Sequence, residues 1–198
     1  MVCVFSTGIA GNGGYVWKTT NTYATALTAS GTAPHAWQTT PDASQRKMPT
    51  AEHLIVHANK MWAANVTIAG TDYPNRIHWS LENSPENWDE DDYFELAGGG
   101  DGITGMAVVN GQLVVFKPNA VYTILGYDST TFQVVELTSK LGVDSPTKIA
   151  VAENGVYFYS HPNGLFFYNG SSLLDLSTNF NSIYPLNHVN DSATSKIS

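Results

Sequence analysis

Residues 105–116 read GMAVVNGQLVVF: an apolar run, the dipeptide Asn110-Gly111, and a second apolar run. Asn-Gly supplies the two positive φ angles that a type I′ turn needs, so the stretch predicts a tight β-hairpin. The same form recurs on both sides. Residues 148–160, KIAVAENGVYFYS, repeat it with Asn154-Gly155. Residues 52–66, EHLIVHANKMWAANV, repeat it with Asn59-Lys60, where Lys replaces the turn glycine. From Asn59 to Asn110 is 51 residues and from Asn110 to Asn154 is 44.

Two further strands are expected after each hairpin. They are RIHWS (76–80) and DYFEL (92–96) in the first unit, then AVYTILGY (120–127) and TFQVVEL (131–137) in the second. The third unit has GLFFYNG (164–170) and SLLDLS (172–177). Four short strands per 40–50 residues is the signature of β-propeller blades. The first unit is longer, and TIAGTDYPN (67–75) and LENSPENWDED (81–91) are read as its lengthened loops. The expected division is a partial blade and long loop over 1–48, three blades over 49–177, and a polar tail over 178–198. In the partial blade, YVWKTT (15–20) and ATALTAS (24–30) are the strand candidates, and three prolines mark the loop after them. With three and a half to four blades, the fold is expected to be a small propeller or part of a larger one.

Composition agrees with an all-β fold. Charged residues are only 13% of the 198, against about a quarter in typical domains. Tyr, Phe, Trp, Val and Thr suit a pleated, half-buried surface. The formal charge is −8 with no Lys/Arg cluster, which argues against a sequence-reading nucleic-acid binder. One cysteine, Cys3, excludes an intrachain disulfide. No signal peptide or membrane-length apolar run is read, so the protein is expected to be soluble and made in a reducing compartment.

The order of motifs, from RIHWSLENSPENW through GDGITGMAVVNGQLVVFKPNAVYTILG to LGVDSPTKIAVAENGVYFYSHPNGLFFYNG, resembles the propeller region of bacteriophage tail hub and nozzle proteins. These are the stabilization or tubular-tail proteins of short-tailed phages. The likeness covers about residues 49–177. It implies a structural virion protein, made in the host cytoplasm and built into the phage tail. Its partners would be copies of itself in a hexameric or other cyclic ring, other tail and portal–adaptor proteins, and DNA passing non-specifically through the channel. No membrane, cofactor or catalysis is implied. The alternative is a carbohydrate- or receptor-binding propeller of the tail, which would expose Trp and Tyr at loop tips.

The acids from Glu82 to Asp92 include four in succession and no glycine, unlike a Ca²⁺ loop, so they read as a solvated turn. SLENSPENW departs from the sialidase Asp-box, and Arg46 and Arg76 are the only arginines. His53 and His57 would suit zinc on a helix, but on a strand they stand about 13 Å apart. No nucleophile elbow or phosphate loop is present, so the chain is read as no enzyme, with no metal or cofactor site. The residues singled out are structural and interface candidates. Trp79 and Trp88 should cover the blade and lock the long loop. Arg76 should pair with a carboxylate there or support Trp79. Phe166, Phe167 and Tyr168 lie in the aromatic run 164–170, which is expected to be an exposed edge that pairs with another chain.

Overall fold

The computed structural model describes residues 48–98 and 102–177, with only the backbone of Glu86, and also the backbone of four short strands nearer the N-terminus. Three of those strands, β1 (Val2–Val4), β2 (Tyr15–Trp17) and β3 (Thr25–Ala26), form a small antiparallel sheet. The fourth, β4 (Gln45–Arg46), belongs to the next sheet. The rest of the expected long loop and the tail after Ser177 lie outside the described residues.

The fold is all-β, and its three larger sheets are consecutive antiparallel meanders. Sheet I holds β5 (Thr50–His57), β6 (Lys60–Ile68), β7 (Thr71–Leu81) and β8 (Ser84–Glu95), with β4 added outside β8. Sheet II holds β9 (Gly105–Val109), β10 (Gln112–Lys117), β11 (Ala120–Leu125) and β12 (Gln133–Thr138). Sheet III holds β13 (Ile149–Ala152), β14 (Gly155–Ser160), β15 (Gly164–Tyr168) and β16 (Leu173–Asp175). In each, neighbours in the chain are neighbours in the sheet.

The turns explain the registers. Asn110 and Gly111 have φ of 46° and 78°, the two positive angles of the expected type I′ turn. Gly111→Val is expected to cost about 1–2 kcal/mol, because a β-branched residue is strained at positive φ although the space there is open. A denaturation midpoint equal to wild type would contradict this.

The other two hairpins correct the sequence reading. In the first, His57 faces Lys60, so the turn is Ala58-Asn59, one residue earlier than expected, with φ of 49° and 57°. In the third, Ala152 faces Gly155, so the loop is Glu153-Asn154. Neither residue takes a positive φ, and this turn is not type I′. Gly155 is needed for close approach: a Cβ there would stand 2.4 Å from the Tyr168 carbonyl oxygen.

Both expected loops of the first unit are strands. A turn at Ala69-Gly70, with φ of 50° and 83°, lets β6 and β7 run on through residues 67–75. The acidic stretch runs within β8. There Trp88 faces Ser80 on one side and Arg46 on the other, and Asp89 faces Gln45. Asp and Glu are poor strand formers, but pairing on both sides and burial of Trp88 override that preference.

The sheets stack face to face. Between I and II lie Trp62, Ile77, Trp79 and Leu96 against Leu113, Val115, Tyr122, Ile124 and Phe132. Trp62 and Trp79 have centroids 5.2 Å apart, and Phe132 meets both edge-on at 4.9 and 5.5 Å. Such pairs add about 0.5–1.5 kcal/mol each beyond burial. Between II and III lie Ala107, Val114, Phe116 and Val121 against Val156, Phe158, Phe166 and Tyr168. A third core on the other face of sheet I contains Met48, Met61, Ala63, Val66 and Trp88.

Candidate functional site

Strand β9 contacts both β5 and β13, so the first strands of the three sheets lie side by side. A cleft of about 360 Å³ opens along them, lined by Glu52, His53 and Leu54 of β5, Gly105 and Met106 of β9, Pro146, and Ile149 and Val151 of β13. Pro146 belongs to a 3-10 turn, Pro146–Lys148, in which the Thr147 N–H donates to the Ser145 hydroxyl.

The polar end of the cleft is fixed by a bulge in β6. Asn65 takes φ of 53° there and donates through Nδ2 to Glu52 Oε2 at 2.8 Å. His53 Nε2 donates to the Ile103 carbonyl at 3.1 Å. Burial holds His53 below the usual histidine range, opposed by the Glu52 charge and this hydrogen bond. Gly105 is required for close approach, because a Cβ there would stand 2.5 Å from Ile149 Cδ1. The cleft is therefore apolar with one carboxylate and one histidine, both already hydrogen-bonded. It can receive an apolar side chain.

The expected site residues are not gathered in one place. Trp79 is in the core between sheets I and II, Trp88 in the core behind sheet I, and Phe166 and Tyr168 in the core between II and III. Trp88 Nε1 donates to the Pro85 carbonyl at 2.7 Å, which ties down the start of β8, a strand where a loop was expected. Trp62, Trp79 and Trp88 are all at most 4% exposed, so none of them can be a sugar platform. Arg76 pairs with a carboxylate outside the expected loop 81–91: Glu95, its cross-strand partner, at 2.9 Å. Its guanidinium also lies over Tyr73 and Tyr93, 4.0 and 4.3 Å from their centroids. The run 164–170 is not an edge. Strand β15 is paired on both sides, by β14 and β16, so its backbone cannot receive another chain.

Of three histidines on sheet I, His57 and His78 are buried and His53 is half-buried. His53 and His57 lie on strand β5, as the strand reading required. His78 is 3% exposed, stacks 5.0 Å from Tyr93, and has no partner for Nε2. Burial first, and then the Arg76 charge, pushes its pKa down to about 4. Burial alone lowers His57. Asp92 is raised, by burial first and then by Asp89, with Lys60 and the Trp79 indole opposing. Among the described residues no group of three His, Cys, Asp or Glu side chains could hold a metal ion.

A depressed histidine pKa means that the unfolded chain binds the proton more tightly than the fold does. The contribution is complete above about pH 6.5 and is lost as pH falls toward 4. Moving from pH 7 to pH 4.5 should therefore remove on the order of 2 kcal/mol through His78. His53 and His57 act in the same direction and Asp92 in the opposite one. In urea titrations across this range, His78→Gln should flatten the slope. A slope unchanged by the substitution would contradict the assignment.

The cleft left no mark in the sequence, because its walls come from strands about 50 residues apart and only the sheet topology brings them together. Among the described residues no helix is long and apolar enough to cross a membrane. No protein-family model matches the chain, and no curated protein matches it.

Proposed function

We propose that this chain is a structural component of a bacteriophage tail or neck, a hub or nozzle element whose stacked sheets are blades of a β-propeller. The observation that carries this reading is the repetition of one unit. Three successive four-stranded meanders stack face to face, and their first strands lie together along one cleft. This is how blades are arranged around an axis. The motifs on which the resemblance to tail hub and nozzle proteins rests are strand sequences here: VVF lies in β10, VYTIL in β11, and GLFFY makes up β15.

The work of such a protein is assembly. Copies would form a hexameric or other cyclic ring, joined to other tail and portal–adaptor proteins, with DNA passing through the channel. A net charge of −8 suits that passage, since an acidic wall does not hold the polyanion. The burial of Trp62, Trp79 and Trp88 in cores favours this reading over a glycan-binding propeller.

Sedimentation velocity over a wide concentration range tests the proposal. It predicts one discrete ring-sized species that persists on dilution. A monomer at every concentration, or turnover of a glycan by the purified protein, would overturn it.

A further inference from the structure

The cleft along the three first strands carries one negative charge that no described cation balances. Glu52 stands exposed on β5 at its polar end. Its Oε2 accepts from Asn65 Nδ2 at 2.8 Å, and that donor is neutral. Asn65 Nδ2 also reaches the Ile103 carbonyl at 3.4 Å, so the carboxylate is tied to the same bulge that shapes the cleft. Among the described residues no lysine or arginine pairs with Glu52. Arg76 is engaged by Glu95 and Lys148 by Asp144, while Lys60 and Lys117 are buried under their own acceptors. His53 does not supply the cation either. Burial holds it below the usual histidine range, and its Nε2 is spent on the Ile103 carbonyl at 3.1 Å.

Beyond the carboxylate the walls are apolar: Leu54, Met106, Pro146, Ile149 and Val151. Leu54, Met106 and Ile149 are half-buried, and Val151 is 60% exposed. Strands β5, β9 and β13 are each the end strand of their sheet, so no described strand pairs along the cleft.

These two features select one kind of guest. A wholly apolar side chain would fill the walls and leave the carboxylate unused. A short polar one would meet the carboxylate and leave the walls wet. Lysine and arginine carry both parts, an aliphatic stem that lies along apolar surface and a charged head that stays in water. The exposure of Glu52 suits such a head, which need not be stripped of water to reach it. A net charge of −8 also speeds the approach of a cationic partner.

We infer that this cleft docks a lysine or arginine side chain from a basic segment of a partner chain, its stem against Leu54, Met106, Ile149 and Val151 and its head on Glu52. The inference stands on the chemistry of the cleft and does not rest on a role in a phage tail.

Methyl NMR of the full chain tests it, with N-acetyl-lysine methylamide as the probe and N-acetyl-norleucine methylamide as its uncharged counterpart. The lysine probe should shift the methyls of Met106, Ile149 and Val151. At low salt it should bind about two- to fivefold more tightly than the norleucine probe, the range expected of one exposed ion pair. That preference should disappear at about 1 M salt, where exposed charges are screened. Glu52→Gln alters an exposed side chain, so the rest of the spectrum should match wild type. The variant should bind both probes equally, with the norleucine affinity unchanged. Equal affinities in the wild type, or a preference that survives Glu52→Gln, would overturn the inference. So would the absence of shifts with the lysine probe. Shifts at the same methyls that grow with protein concentration and no probe would also overturn it, because a second copy would then fill the cleft.

Discussion

Gly142→Ala is expected to abolish the native fold or to cost at least about 3 kcal/mol. A Cβ at this position would stand 2.1 Å from the Lys117 carbonyl oxygen and 2.5 Å from both C and O of Pro118. All three are backbone atoms, so no side-chain rotation relieves the overlap. The connection from sheet II to sheet III is pinned at this point. Gly142 N donates to Ser160 Oγ at 3.1 Å and Val143 N to Lys117 O at 2.8 Å. The Thr104 hydroxyl joins in, donating to the Val143 carbonyl. Gly70→Ala is the control. Its φ is 83° but nothing lies within 4 Å of its Cβ, so it should cost only about 1 kcal/mol. Similar denaturation midpoints for the two variants would show that Gly142 is not enclosed as described.

The second large effect is expected at Lys117, whose side chain is fully buried. Its Nζ donates to Asn75 Oδ1 and to the Leu96 carbonyl, each at 2.8 Å. Sheet II is thereby bonded to sheet I at the point where the chain leaves sheet I. Lys117→Met keeps most of the volume but takes the donor from both acceptors, and should cost about 2–4 kcal/mol. Asn75→Ala should cost less, about 1 kcal/mol, and the double variant should fall short of the sum because the two share one contact. Additive losses would mean that the bond does not couple the sheets.

What could be read in the sequence was what depends on local chemistry. Asn110-Gly111 announced its turn because asparagine and glycine tolerate positive φ. Ala58-Asn59 and Ala69-Gly70 make the same kind of turn with an alanine at a strained angle, so the first was misplaced by one residue and the second was read as a loop. The acidic run of β8 was also read as a loop, because its strand state depends on partners in β4 and β7. The tryptophans' structural role was legible from their size and apolar setting. Lys117 was not, since a lysine ending an apolar strand looks like one that reaches water. The edge expected at 164–170 failed because composition reports how apolar a strand is, but not its place in the sheet.

Electron microscopy of the purified full-length protein bears most directly on the central claim, that stacked four-stranded sheets build a ring for the passage of DNA. The account predicts particles of closed rotational symmetry around an open channel that passes a DNA duplex. Single unassociated discs, or an assembly with a filled axis, would contradict it.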